Sequence, residues 1–428
     1  MLNENMIKLG TERSAIRELF EKGKVLKEKY GRDAVFDFSL GNPSIPCPKD
    51  VNDILINLLN NANFLDQYDD ATYEKIDLPT DKIIEKGRFP KYNSSMLHGY
   101  TQAQGDKTVR VAISNYLNKT YDAKVAPDFI YMTVGAAAGL TITLKAVTNS
   151  PDNEIITFAP FFPEYAVFIK NAGAKMVSVN PDKKTFCPDL NDFKNKINKN
   201  TAAVILNSPN NPTGVLYKED IIKNICDILN EKQKEFKHPI YIISDEPYRE
   251  LLYIDCKYPF ITNYYDNSIV TYSFSKSISL PGERIGYIVV NKNATDSQTI
   301  YSAVLGAGRS LGFVCAPTLF QFLLPQVIGI TSDISIYKKN AELIEKNLTE
   351  IGYEVIRPDG AFYLFVKALE ADDEAFSKKA LDYNLLIVPS KSFGISGYVR
   401  IAYCVKEKQI LDSLPKFKEL YDFYKSKG

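Results

Sequence analysis

The sequence predicts a mainly parallel α/β protein with a second, smaller α+β unit. Three observations carry this reading: from about residue 105 to 325 short apolar runs alternate with amphipathic helical stretches; those runs are continuous rather than alternating; and after about 330 the pattern becomes one long helix followed by shorter strands. Continuous apolar runs between helices fit strands covered on both faces, as in a doubly wound sheet. A chain of 428 residues also exceeds the size at which a single core stops growing. The division expected is an N-terminal segment (1–50) joining the small domain, a large domain (51–325) and a small C-terminal domain (326–428).

Taken in order, helical periodicity over 12–30 ends at Gly31, and "AVFDFSLGNPSIPCP" passes from a short strand into a Pro-rich loop. Residues 61–95 are polar and aromatic without clear period and read as an insertion or long loop. The strands of the large sheet are "FIYMTV", "NEIITF", "AAVIL", "IYIIS", "SIVTYSF" and "GYIVV". The small domain takes the helix "DISIYKKNAELIEKNLTEIG" and the pieces "YEVIRPDGAFYLFVKA", "LLIVPS" and "YVRIAYC".

Composition narrows the function. The 52 basic residues balance 52 acidic ones, so no long-range field favours nucleic acid or a membrane surface, and the expected partner is small. The charged N-terminal stretch lacks the apolar core of a secretion signal, and no apolar run approaches 20 residues. A cytoplasmic protein is expected. Six widely separated cysteines without a CxxC pair suggest buried thiols rather than zinc ligands or disulfides, and no metal is expected. With only His98 and His238 available, acid–base work falls to lysine, tyrosine or a carboxylate.

Ligands of open α/β sheets sit beyond the carboxyl ends of the strands. Five of those ends are unusual here. "GAAAGL" is a small-residue turn opening a helix, where free N–H groups can hold an anion, although close packing would also explain it. "APFFPEY" offers two aromatics, one of which can cover a flat ligand if it does not pack in the core. "NSPNNPTG" holds Asn211 before a proline, which forces it extended, as in an ordinary turn. "DEPY" sets Asp245 and Glu246 at the end of a buried strand, where a carboxylate needs a cation or donor unless it caps a helix. "TYSF" delivers Ser273, Ser275 and Lys276, with Arg284 eight positions beyond the lysine.

The ordered set "SLGNPS" (39–44), "HGYTQAQG" (98–105), "GAAAG" (135–139), "PFFPEY" (160–165), "NSPNNPTG" (207–214), "SDEPY" (244–248), "SFSK" (273–276), "GERIGY" (282–287) and "VRIAY" (399–403) resembles the class I/II aminotransferases. These are fold-type I enzymes that use pyridoxal 5′-phosphate (PLP), and the likeness spans about residues 12–410. The resemblance implies a large PLP-binding domain with a mixed, mostly parallel sheet and a smaller α+β domain. It implies Lys276 as the Schiff-base lysine, with Ser273, Arg284, Gly135 and the backbone N–H groups of Ala136 and Ala137 on the phosphate. Many relatives carry a hydroxyl or amide side chain in that turn; the two alanines offer backbone alone. Asp245 would face the pyridine nitrogen, Asn211 and Tyr248 the ring's O3′ oxygen, and Phe162 the ring face, with Phe161 as the alternative. Arg400 would grip the substrate α-carboxylate, which Gly41 lets the backbone approach. Tyr100 would reach the phosphate of the neighbouring subunit, which implies a homodimer with sites at the interface.

Transfer of an α-amino group to a 2-oxo acid is the favoured activity. A β-eliminating C–S lyase on the same scaffold is the alternative, and a non-catalytic PLP-binding regulator is disfavoured because no basic DNA-binding arm precedes the matching part. A nucleotide enzyme without PLP would need a GxGxxG after the first strand or a GxxxxGK[ST], and neither occurs. A dicarboxylic substrate would require a second cation. Arg17 is the first choice, with Arg309 and Lys107 behind it.

Overall fold

The computed structural model describes residues 2–12, 14–60 and 97–426. The stretch 61–95, read above as an insertion, lies outside the described residues. The strands in chain order are β1 (Phe36–Asp37), β2 (Ile130–Thr133), β3 (Glu154–Phe158), β4 (Lys175–Val179), β5 (Thr201–Asn207), β6 (Tyr241–Asp245), β7 (Ser268–Ser273), β8 (Gly286–Val290), β9 (Val355–Ile356), β10 (Tyr363–Lys367), β11 (Leu385–Leu386), β12 (Val388–Pro389) and β13 (Tyr398–Ala402).

The large sheet has the order β2-β8-β7-β6-β5-β3-β4. Strands β7, β6, β5, β3 and β4 pair in parallel, while β8 runs antiparallel to both β7 and β2. The expectation of a mainly parallel sheet holds, with one reversed strand that an apolar run cannot announce. Val204, Ile242, Ile243, Ile269 and Val270 are buried, since helices cover both faces. Burying each such side chain stabilises the fold by about 1.5–3 kcal/mol.

Register sets the site. Asn207 of β5 pairs with Asp245 of β6, and Asp245 pairs with Thr271 of β7, so three polar residues form a row at the carboxyl edge.

Beyond the large sheet, β12-β13-β10-β9 form an antiparallel sheet and β1 pairs in parallel with β11. The helices Ile334–Ile351 and Glu407–Lys425 pack on each other beside it. At the N-terminus, one helix was expected from residue 12; the structure has two, Glu4–Thr11 and Ala15–Tyr30. Ser14 accepts from the Arg17 amide and caps the second, which packs on β11 and β12 and stops at Gly31 with φ +88°. The chain then returns to this sheet: Ala402 N–H donates to the Phe38 carbonyl.

Two cysteines, Cys226 and Cys404, are buried as expected, whereas Cys47, Cys187 and Cys315 are half-buried and Cys256 is exposed. Wide spacing excluded pairing but could not show which of these positions face the core. Among the described residues no helix is long and apolar enough to cross a membrane.

Candidate active site

Each strand at the carboxyl edge of the large sheet ends where its next residues cannot extend it, and their side chains meet above that edge. Asp245 is buried, and its Oδ2 accepts a 2.6 Å hydrogen bond from the Tyr165 hydroxyl. Burial pushes the carboxyl up to about 7; the donation from Tyr165 opposes this and the nearby Glu246 adds to it. Asn207 donates through Nδ2 to the Asp245 carbonyl at 2.9 Å and accepts from the Asn211 amide at 2.8 Å. The Asn211 Oδ1 then accepts from Nη1 of Arg400 at 3.0 Å. A thread of hydrogen bonds joins Asp245 to Arg400.

Arg400 projects from β13, and only 2% of it is exposed. Its Nη2 donates to the Ser39 carbonyl at 2.6 Å, and its guanidinium lies 4.6 Å from the Tyr363 ring centre. Among the described residues its buried Nε has no hydrogen-bond partner, and no carboxylate stands within 4.0 Å of the group. A buried cation without a counter-charge is costly, so this arrangement suits an incoming anion.

Lys276 rides on the single helical turn Phe274–Ser277 that follows β7, with Ser273 as its cap. Its Nζ donates to the Gly41 carbonyl at 2.7 Å and lies 5.3 Å from the Phe362 ring centre. Burial lowers the amine to about 8, and the positive charges of Arg400 and Arg284 act in the same direction. The turn "LGNP" carries that carbonyl past Tyr363, whose hydroxyl occupies the space a side chain on Gly41 would need. Tyr363 also shares a 2.9 Å hydrogen bond with the Tyr248 hydroxyl.

The third group is a cradle. Gly135, at φ +89°, caps the helix Ala136–Val147 and presents its N-terminus. A Cβ there would press to 2.7 Å on Nη2 of Arg284. Arg284 itself adopts φ +52°, and its Nη1 donates to the Pro281 carbonyl at 2.9 Å and reaches Oγ of Ser275 at 3.5 Å. Oγ of Ser273 and Ser275 are 2.6 Å apart. A guanidinium, two hydroxyls and a helix start converge on one spot, a donor set for a phosphate.

Of the two adjacent aromatics, Phe161 is buried against Gly394, leaving no room for a side chain on that glycine, while half-buried Phe162 meets Tyr165 edge-on at 5.7 Å beside Asp245. Tyr100 is 80% exposed, and of the other candidates for the cofactor Ala137 and Arg284 are exposed too. Arg17, Arg309 and Lys107 are all exposed on this chain. Tyr165, Asn207 and Tyr363 were not singled out from the sequence. Tyr165 closes "PFFPEY" and Asn207 opens "NSPNNPTG", but nothing in either motif told that hydroxyl from an ordinary core tyrosine or that amide from an ordinary turn residue.

An amine, a desolvated carboxylate, an anion cradle and a buried guanidinium without a carboxylate beside it are gathered at this edge, a set that suits a PLP enzyme. The family model "Aminotransferase class I and II" matches residues 55–414, and the chain belongs to that family. It is a PLP-dependent transaminase. It is 27% identical to the aspartate aminotransferase of Pyrococcus horikoshii over 95% of this chain and 94% of that one. It is 30% identical to a probable aspartate aminotransferase of Methanocaldococcus jannaschii over 76% and 85% of the two chains. Among solved structures, an aminotransferase from Eubacterium rectale superposes with a TM-score of 0.90 at 48% identity, covering 99% of each chain. The aspartate aminotransferase of Thermotoga maritima gives 0.78 at 25% identity, covering 96% and 98%.

The residues present fit PLP. The Gly135–Arg284–Ser273 cradle suits its phosphate, Asp245 its ring nitrogen, and the Lys276 amine its aldehyde.

Proposed function

We propose that the enzyme transfers the α-amino group of an L-amino acid, aspartate or an aromatic amino acid first, to a 2-oxo acid such as 2-oxoglutarate. The observation that carries this reading is the buried Arg400, which no carboxylate of the described residues neutralises. Its Nε is free for a substrate α-carboxylate, close to the amine of Lys276. The relatives named aspartate aminotransferase support aspartate as the first donor to try.

PLP, when bound, supplies an electron-withdrawing ring that lets the proton on the substrate Cα leave. In this reading Asp245 keeps a proton on the ring nitrogen, and Tyr165 keeps Asp245 oriented and ionised. Asn211 and Tyr248 donate to the ring oxygen. Arg284, Ser273, Gly135 and the amides of Ala136 and Ala137 hold the phosphate, while Phe162 covers one ring face. Arg400 orients the substrate by its α-carboxylate, and Gly41 leaves room for it. Lys276, lowered to about 8, would take the Cα proton as a base and hold it at Nζ. Tyr100, exposed on one chain, serves a partner's site in a homodimer.

The test follows the cofactor spectrum while purified enzyme meets L-aspartate, L-glutamate or aromatic amino acids. Transfer leaves the amine form of the cofactor, which 2-oxoglutarate converts back. Release of ammonia and pyruvate from a β-substituted amino acid, with no stable amine form, would replace this reading with a lyase. The same donors against Arg17→Ala assign the side-chain cation: an unchanged acidic-to-aromatic preference removes Arg17 from the site.

A further inference from the structure

Tyr363 touches three of the residues proposed to act on cofactor and substrate, and no part in the reaction has been given to it. Its hydroxyl stands 2.9 Å from that of Tyr248, its ring centre lies 4.6 Å from Cζ of Arg400, and its oxygen fills the place of a side chain on Gly41. Both tyrosines are buried, and their rings meet edge-on at 5.7 Å. Across the sheet Tyr363 pairs with Ala402, two residues from Arg400, so strand register itself lays the ring beside the guanidinium. Phe393 packs on the same group at 5.2 Å. With two rings against it, and with Nη1 and Nη2 bonded to Asn211 and Ser39, the guanidinium has little freedom to turn.

Two hydroxyls carry two protons, and the bond between them uses one. Whichever tyrosine donates, the other keeps an O–H for a further acceptor. Burial pushes both hydroxyls up, Tyr248 well above the ordinary tyrosine range and Tyr363 to about 12, where the Arg400 charge opposes the rise. The more acidic hydroxyl is the better donor, which sets Tyr363 to donate and leaves the Tyr248 proton free. Apart from Tyr248 and Arg400, the titratable groups that face Tyr363 are Cys404 and Tyr403, both kept uncharged near pH 7 by burial.

We infer that Tyr363 is a positioning residue with two separable parts: its hydroxyl holds Tyr248 with the proton directed at the cofactor's ring oxygen, and its ring holds Arg400 in place for the substrate carboxylate. The inference rests on the roles proposed above for Tyr248 and Arg400. A hydroxyl that accepts a hydrogen bond becomes a stronger donor, so Tyr363 strengthens what Tyr248 gives to that oxygen.

Absorbance of the bound cofactor against pH, together with steady-state kinetics of the holoenzyme, separates the two parts. Tyr363→Phe keeps the ring and removes the hydroxyl. The midpoint of the absorbance change should then move up by about half a pH unit, because a less stabilised ring oxygen holds the cofactor's proton more tightly, while KM for the amino acid stays within about twofold. Tyr363→Leu removes the ring as well and should raise KM by about tenfold; Tyr363→Met, which fills the space more flexibly, carries the same test if the leucine variant does not fold. Tyr248→Phe is the reference and should move the midpoint further in the same direction. A midpoint that moves in Tyr248→Phe but not in Tyr363→Phe overturns the hydroxyl's part and leaves the role of Tyr248 standing, whereas unmoved midpoints in both overturn that role as well. An unchanged KM without the ring overturns the ring's part.

Discussion

The hydroxyl of Tyr165 donates to Oδ2 of Asp245 at 2.6 Å, joining residues 80 positions apart inside the core. A donor to the charged form of an acid lowers its pKa, so Tyr165 offsets part of what burial does to Asp245. In Tyr165→Phe the carboxyl should rise further, and the acid limb of the kcat/KM profile should move to higher pH by about one unit. An unmoved limb would make Tyr165 a packing residue only.

Asp245 at about 7 in the free chain, against about 3.9 when unfolded, binds its proton more tightly in the fold. Its contribution is therefore fully present below pH 4 and is lost as pH rises through 7. Asp245→Asn cofactor-free protein should be more stable than wild type at pH 8 by about 2–4 kcal/mol, and the gap should close toward pH 4. Urea unfolding at several pH values measures it; a constant gap contradicts the assignment. With cofactor present, the same variant should lose most of its activity.

Lys276, lowered to about 8, sets a pH dependence for cofactor capture. The rate at which cofactor-free protein takes up PLP should rise with pH and level off near pH 9, instead of climbing past 10 as an ordinary lysine would. Stopped-flow absorbance follows this directly. Lys276→Ala should lose the imine absorbance and nearly all turnover while still retaining cofactor through the phosphate cradle.

Arg400→Lys keeps the charge and removes the fork. A loss of about 10- to 100-fold in kcat/KM is expected, carried mainly by KM for the amino acid. Equal loss for substrate analogues without an α-carboxylate would disconnect Arg400 from that group.

Gly41→Ala drives a methyl into the Tyr363 hydroxyl and displaces the carbonyl that Lys276 donates to. Turnover should fall by about tenfold or more, and Tyr363→Phe in the same chain should restore part of it, since the first atom in the way is the hydroxyl oxygen. Independent, additive losses in kcat would show that the two positions do not couple.

Much of this was legible in the sequence for a physical reason. A strand buried on both faces must be continuously apolar, so the polar stretch that follows it stands out; Asp245 ends β6, and Asn211 and Lys276 lie within four residues of the ends of β5 and β7. The direction of β8 was not legible, because "GYIVV" reads alike in a parallel or an antiparallel strand. Tyr165 and Tyr363 were hidden because a buried tyrosine looks the same whether its hydroxyl meets a backbone carbonyl or the Asp245 carboxylate. The links among Asp245, Asn207, Asn211 and Arg400 depend on register between distant segments, and no local pattern records register.

The Gly41 carbonyl and the Lys276 amine are separated by 235 residues, and Ser39 and Arg400 by 361. On a ribosome the sheet edge with Asp245 and Lys276 emerges well before β13, so under the proposed function the residues that would hold the cofactor are made before the arginine that would bind the substrate. Under the proposed function, the Lys276 amine would wait for the arginine that binds the substrate carboxylate until synthesis reaches residue 400.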